Sequence, residues 1–260
     1  MNTALNPLLR TAASIVAVLL ISTAATRTFA QTGTNVWDKS AALGLTLTKG
    51  NSDTLLFTGN ILATQKRADH EIDLGADAAY GENDHVKNNE TAHAFGQFNH
   101  LFTPRLYVYG RLDGLHDGIA GIKYRLTASP GAGYYWIKDK QVSFSTEGGP
   151  SMIYEKLAGH TGIGTNAVAS YTTQTFFTLR LADKFEYKLN DHARIWQTAE
   201  ILPQVDDFSH YIVNAEIGVE SALSKKTSLR IYADDTYDSR PANGRKKDDL
   251  KLVSALAWKF

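Results

Sequence analysis

Four histidines of the chain, His85, His116, His160 and His210, lie in polar stretches with Asp84, Asp117, Asp206 and Asp207 close by. Neutral imidazole and carboxylate together are donors for a divalent cation. The spacing argues against such a centre, because the four come from separate segments and no two share a short ligand spacing. A fifth, His93, has Gln97 and Asn99 on its own side of an alternating stretch. It would act as a general base only beside a nucleophile, and no serine is fixed next to it. The chain has no cysteine, which removes thiolate metal sites, cysteine nucleophiles and disulfides together. No catalytic residue, metal ligand or cofactor is therefore assigned. The expectation is a protein without enzymatic activity, a hydrolase being the less favoured alternative.

The charged residues carry a richer pattern. Asp73 and Asp77 alternate with Ile72, Leu74, Ala76 and Ala78; Arg111 and Asp113 oppose Leu106, Val108 and Leu112. Lys123 and Arg125 oppose Tyr124, Leu126 and Ala128, while Glu147 opposes Val142, Phe144, Met152 and Tyr154. Further on, Arg180 opposes Phe177, Leu179 and Leu181, and Glu216 and Glu220 oppose Val213, Ile217 and Val219. Arg230 lies in a similar stretch. Glu200 sits in the poorest one, where Trp196 shares its parity and Pro203 interrupts. Acids and bases on this polar face are nearly balanced. Two chemistries follow: a hydrated, weakly selective wall, or a cross-neutralised ladder of ion pairs that shuts a narrow space. A lopsided face would have argued for ion selectivity.

Period two over 8–20 residues means strands, with alternate side chains on opposite faces. Twelve such stretches occur: 41–48, 54–65, 71–81, 91–102, 105–115, 123–137, 141–155, 170–189, 193–204, 211–222, 228–237 and 249–260. The connections alternate between short ones, near 66–68, 103–104, 138–140, 190–191 and 224–226, and mostly longer ones at 82–90, 116–122, 156–166 and 239–248. Segments 49–53 and 206–210 are shorter members of the second set. Aromatic residues gather at both ends of the apolar faces. Trp37, Phe102, Trp136, Tyr187, Trp258 and Phe260 mark one end, and Tyr80, Tyr124, Tyr154, Tyr211 and Tyr237 the other. Two girdles around an apolar band match hydrocarbon between two wet interfaces.

The expected fold is therefore all-β, an antiparallel transmembrane β-barrel of about 12 strands over residues 36–260. The competing reading is a soluble β-sandwich or lipocalin-like barrel with the apolar face inward, which would need no girdles. Residues 1–30 have the layout of a secretory signal peptide. Arg10 precedes an apolar run from Ala12 to Ala25, and Thr28-Phe29-Ala30 forms a cleavage site. The expected location is the bacterial outer membrane, reached by export and cleavage. With no net charge, the chain has no basic character for nucleic acid. Its partners would be outer-membrane lipid, including lipopolysaccharide.

Two prolines stand inside alternating stretches, in Ser129-Pro130-Gly131-Ala132-Gly133 and Gly148-Gly149-Pro150-Ser151. Each removes a ladder donor, so a local bulge or bend of the wall is expected at Pro130 and Pro150.

The stretches Gly50-Asn51-Ser52-Asp53-Thr54, Tyr109-Gly110-Arg111-Leu112-Asp113, His116-Asp117 and Ile119-Ala120-Gly121-Ile122-Lys123-Tyr124-Arg125 resemble the YdiY-like salt-induced outer-membrane proteins. The proline segments and Gly149-Pro150-Ser151 extend the likeness across most of the chain after the leader. The resemblance implies an outer-membrane barrel with no active site to carry over, and a link to salt or osmotic response. The terminal Leu256, Trp258 and Phe260, alternating to a final aromatic, are similar to the signal read by the outer-membrane assembly machinery, a second partner. The functional expectation is a narrow, weakly selective pore or passive barrel. A non-conducting structural or loop-binding barrel is the alternative.

Overall fold

The computed structural model describes residues 37–48, 54–161, 168–242 and 245–260. The expected leader, residues 1–30, lies outside the described residues. Twelve strands follow one another: β1 (Trp37–Thr48), β2 (Thr54–Lys66), β3 (His70–Asn83), β4 (Val86–Leu101), β5 (Leu106–Asp117), β6 (Ile122–Lys138), β7 (Val142–Thr161), β8 (Val168–Lys188), β9 (Ala193–Gln204), β10 (Asp207–Ala222), β11 (Thr227–Asp238) and β12 (Asp248–Lys259). Each pairs antiparallel with its sequence neighbours, and β12 returns to β1, closing the barrel. Closure removes the free edges that a membrane-exposed sheet could not satisfy.

The sorting of side chains is inside-out relative to a soluble fold. Leu45, Ile61, Leu112, Phe177, Ile217 and Leu252 are exposed on the outer wall, while Glu147, Glu155, Arg180, Glu220 and Arg230 are buried in the interior. In lipid that arrangement is favourable, because hydrocarbon solvates the apolar face and the charges pair within the lumen. Outward aromatic pairs mark the loop ends: Tyr124 with Tyr154 at 5.9 Å, and Tyr211 stacked on Tyr237 at 5.7 Å.

The strands are longer, and the outward connections shorter, than the periodicity alone predicts. Segment 82–90 is almost entirely strand. Only Asp84 and His85 form the turn, both at positive φ (50° and 62°), the conformation that a two-residue hairpin of matching twist requires. β7 reaches Thr161 and pairs with β8 over twenty positions, from Val142↔Tyr187 to Thr161↔Val168. Alternation weakens outside the apolar band because neither face is buried there, yet the ladder hydrogen bonds carry the ribbon on.

The junctions are unequal. β1 and β12 pair at four positions, Ser40↔Lys259 to Leu43↔Leu256. Inside this closure the small residues Ala255 and Ala257 of β12 lie beside Ala42. The gap they leave lets Arg230 of β11 reach across β12 to Ser40 of β1, Nη2 to Oγ at 3.0 Å.

Candidate functional site

The lumen gathers the charged face read from the sequence. Asp73, Asp77, Arg111, Asp113, Arg125, Glu147, Arg180, Glu200, Glu216, Glu220 and Arg230 share the inward parity of their strands, as the cross-strand register of Asp77 with His93, Glu216 with Asp234 and Glu220 with Arg230 requires. Lys123 stands apart. It falls in the irregularity between Ile122 and Tyr124 and is exposed, and its carbonyl accepts from His116 Nδ1 at 2.9 Å.

The interior divides into two regions. The packed region centres on Glu147 of β7. Its carboxylate accepts from Arg180 Nη1 at 2.7 Å, Gln97 Nε2 at 2.7 Å and the Tyr107 hydroxyl at 3.0 Å. Arg180 also donates Nε to Glu200 at 2.8 Å. Above it, Arg125 joins Glu155 (2.5 Å) and Asp238 of β11 (3.1 Å). Beside them Ile153, Phe176, Leu202 and Ile212 pack into an apolar cluster within the lumen. Below, Glu71 of β3 takes the Tyr135 hydroxyl at 2.5 Å and Lys138 Nζ at 3.0 Å, both from β6. Buried charges so paired are held in fixed geometry, since separating one would leave the other uncompensated.

The second region is wet. Asp77 points inward, yet its side chain is 49 % exposed, and Lys184, reaching across the lumen to Asp73 at 3.3 Å, is 43 % exposed. His93 lies between two carboxylates, Nδ1 3.0 Å from Asp77 and Nε2 3.4 Å from Asp113. Both ring nitrogens therefore face acids, and among the described residues no hydroxyl is hydrogen-bonded to the imidazole. A cavity of about 50 Å³ among Thr58, Asp77, Thr91, Tyr232, Asp234 and Lys251 continues this region upward. Between Asp73 and Asp77 the ladder sets Phe95 opposite Gly75. A β-carbon on Gly75 would meet the Phe95 ring at 2.3 Å, so the glycine is what admits Phe95 across the wall. Arg111 stacks over the same ring at 4.3 Å.

The prolines occupy one level of the wall. Pro130 pairs with Gly110 of β5 and Pro150 with Leu179 of β8 in unbroken ladders. Between β6 and β7, pairing runs to Ala128↔Met152 and resumes at Ala132↔Gly148 in the same register, which sets the two prolines opposite each other. The register shifts of this junction lie elsewhere, at Ile122/Tyr124 and Tyr135/Ile137. Two opposed residues without N–H leave a gap in the ladder. Gly149 lets the backbones close in, since a β-carbon there would be 2.2 Å from the Pro130 carbonyl oxygen. On the inner face Ser129 and Ser151 share a hydroxyl hydrogen bond at 2.7 Å, a side-chain link where the backbone has none. Pro203 does the same between β8 and β9: pairing skips from Thr178↔Gln204 to Leu181↔Ile201, and Arg180 spans that break through Glu200.

The histidines do not converge. His85 is in the β3–β4 turn, His116 ends β5, and His210 faces inward with Gln204 Oε1 at 2.6 Å and the Phe176 ring at 5.1 Å. The side chain of His160 lies outside the described residues. Among the described residues no three metal-binding side chains come together.

Sequence reasoning passed over the inward aromatics Phe95, Tyr107, Tyr109 and Tyr135, and did not place Trp196 in the lumen. Their parity on their own strands with Gln97, Arg111, Arg125 and Glu200 was the available signal. Trp196 lies over Gly218 and donates its indole N–H to Glu216 at 2.5 Å. At the C-terminus, Trp258 pairs with Ala41 and Thr227, and the Phe260 amide donates to the Lys39 carbonyl at 3.2 Å.

Among solved structures, the chain is similar to the translocator domain of autotransporter NalP from Neisseria meningitidis. The two are 14 % identical with a TM-score of 0.49, over 89 % of this chain and 90 % of that one. An outer membrane channel from Pseudomonas putida F1 is 5 % identical, TM-score 0.47, over 86 % and 95 %. The NanC porin is 8 % identical, TM-score 0.45, over 85 % and 97 %. No curated protein matches the chain. A family model described as "Protein of unknown function, DUF481" matches residues 41–260. The match runs from within the first strand through the last, so the chain belongs to the DUF481 family.

Proposed function

We propose that this protein is an integral barrel of the bacterial outer membrane, exported by a cleaved leader, with a narrow, weakly selective lumen restricted at Phe95. The observation that carries the reading is the exposure of inward charges. Asp77 and Lys184 retain access to water inside a wall whose outer face is apolar. Residues of both signs line the wet region, so it discriminates little between anions and cations. The resemblance to YdiY-like proteins supports a role in salt or osmotic response, and the terminal Leu256, Trp258 and Phe260 support recognition by the outer-membrane assembly machinery. Lipid and lipopolysaccharide are the expected surroundings of the outer wall.

The test is current through planar bilayers. Wild-type protein is expected to give small, steady ohmic steps, and Phe95→Ala larger ones. Steps as large as those of a sixteen-stranded porin would refute the restriction. Silence from folded wild type and folded Phe95→Ala alike would favour the second reading, a non-conducting structural barrel. The interior cluster of Ile153, Phe176, Leu202 and Ile212 speaks for that second reading, because it fills part of the lumen as a core does.

A further inference from the structure

On the outer wall, below the proline level, lies a groove of about 670 Å³. Its floor is made of small outward residues on neighbouring strands, Ala132, Gly148 and Ala199, and its sides include Leu181 and Ile201. Asp183 lies at its foot. It stands on β8 with the outward parity of Leu181 and Phe185, directly opposite Thr146 of β7 and Ala199 of β9. Among the described residues its carboxylate has neither a hydrogen bond nor a cation. The outward acids Glu82, Glu90, Asp235 and Asp248 sit near the loop ends of their strands, so among the described strand residues Asp183 is the one outward acid in the opposite half.

Its depth is set by its neighbours. Trp136 belongs to the aromatic girdle at the short-turn end, and its indole N–H reaches Thr146 Oγ1 at 2.9 Å, the residue across from Asp183. Tyr134 packs edge-on against Trp136 with ring centres 5.0 Å apart, beside the same groove. The carboxylate is thus close to the headgroup level of the inner leaflet, with the apolar groove rising from it.

We propose that this groove is a binding site for one phospholipid molecule of the inner leaflet bearing a primary ammonium headgroup. An acyl chain lies over Ala132, Gly148 and Ala199, and the ammonium donates to Asp183. The charge decides the class: an unpaired carboxylate bordering hydrocarbon is costly, and an ammonium offsets that cost by a charge-assisted hydrogen bond. A phosphatidylglycerol headgroup has no cation to offer and would be repelled. The site rests on the membrane reading above.

The experiment is native mass spectrometry of the folded protein, released from detergent after incubation with equimolar phosphatidylethanolamine and phosphatidylglycerol. One phosphatidylethanolamine is expected to be retained, preferred by about tenfold, as one charge-assisted hydrogen bond allows. Asp183→Asn should keep a lipid and lose the preference, and Gly148→Leu should fill the groove and lose the lipid. Equal retention of both lipids by wild type, or an unchanged preference in Asp183→Asn, would overturn the site. The same samples are run unheated on detergent gels. A folded, heat-modifiable barrel without lipid preference defeats this site alone, whereas protein that stays dissolved without detergent defeats the membrane reading beneath it.

Discussion

The two regions of the lumen use the same residue types for different ends. Around Glu147 an arginine, a tyrosine and an amide converge on one carboxylate that is 4 % exposed, and Arg180 is 6 % exposed. Around Asp77 a carboxylate of the same strand parity stands in water beside His93. The difference lies in what crosses from the opposite wall. In the packed region long side chains of β4, β5 and β8 meet over glycines of β6 and β7. In the wet region β1 and β12 contribute mainly short inward residues, Ala42, Gly44, Val253 and Ala255, and space for water is left beside Asp77. Charge in a lumen is therefore a bolt or a water-bearing surface according to the size of its neighbours.

The comparison can be broken from the packed side first. Arg180→Met leaves Glu147 buried without its cation and removes the link across the Pro203 break. A loss of about 3–5 kcal/mol is expected in urea unfolding of the reconstituted barrel. Restoring most of that loss by adding Glu147→Gln and Glu200→Gln would identify uncompensated charge as the cause; a single mutant as stable as wild type would refute the bolt. Next in size is Ser129→Ala, which removes the hydroxyl link where the ladder is open. It should cost about 1 kcal/mol, and hydrogen exchange should quicken at the β6–β7 junction more than at β7–β8. An engineered Ser129→Cys/Ser151→Cys pair, unique in a chain without cysteine, should restore slow exchange on oxidation. Smallest is Asp77→Asn on the wet side. Stability should change by less than about 0.5 kcal/mol, as for exposed pairs, while the ratio of cation to anion permeability falls. A large loss of stability in that variant would erase the distinction between the two regions.

Most of the fold was legible. The stretch 71–81 alternates without a break because one face meets an apolar medium and the other a polar interior, so β3 could be read with its facing correct. Legibility failed where that contrast fades. Segment 82–90 looked like a loop since both faces are polar beyond the apolar band, and it is nearly all strand. Trp196 confused β9 because a tryptophan reads as lipid-facing, whereas here it fills the space over Gly218 inside. Asp183 escaped notice for the opposite reason, a carboxylate among outward apolar residues.

By itself, the sequence determined which face of each ribbon is apolar, how many ribbons there are, and that charge of both signs lies on the other face. These follow from local alternation, which each strand carries alone. Only the tertiary structure decided which charges meet. Lys184 with Asp73, Arg125 with Asp238 and Arg230 with Ser40 join residues more than a hundred positions apart across a closed lumen. It also set Pro130 opposite Pro150, because register is a property of two strands together and no single strand encodes it.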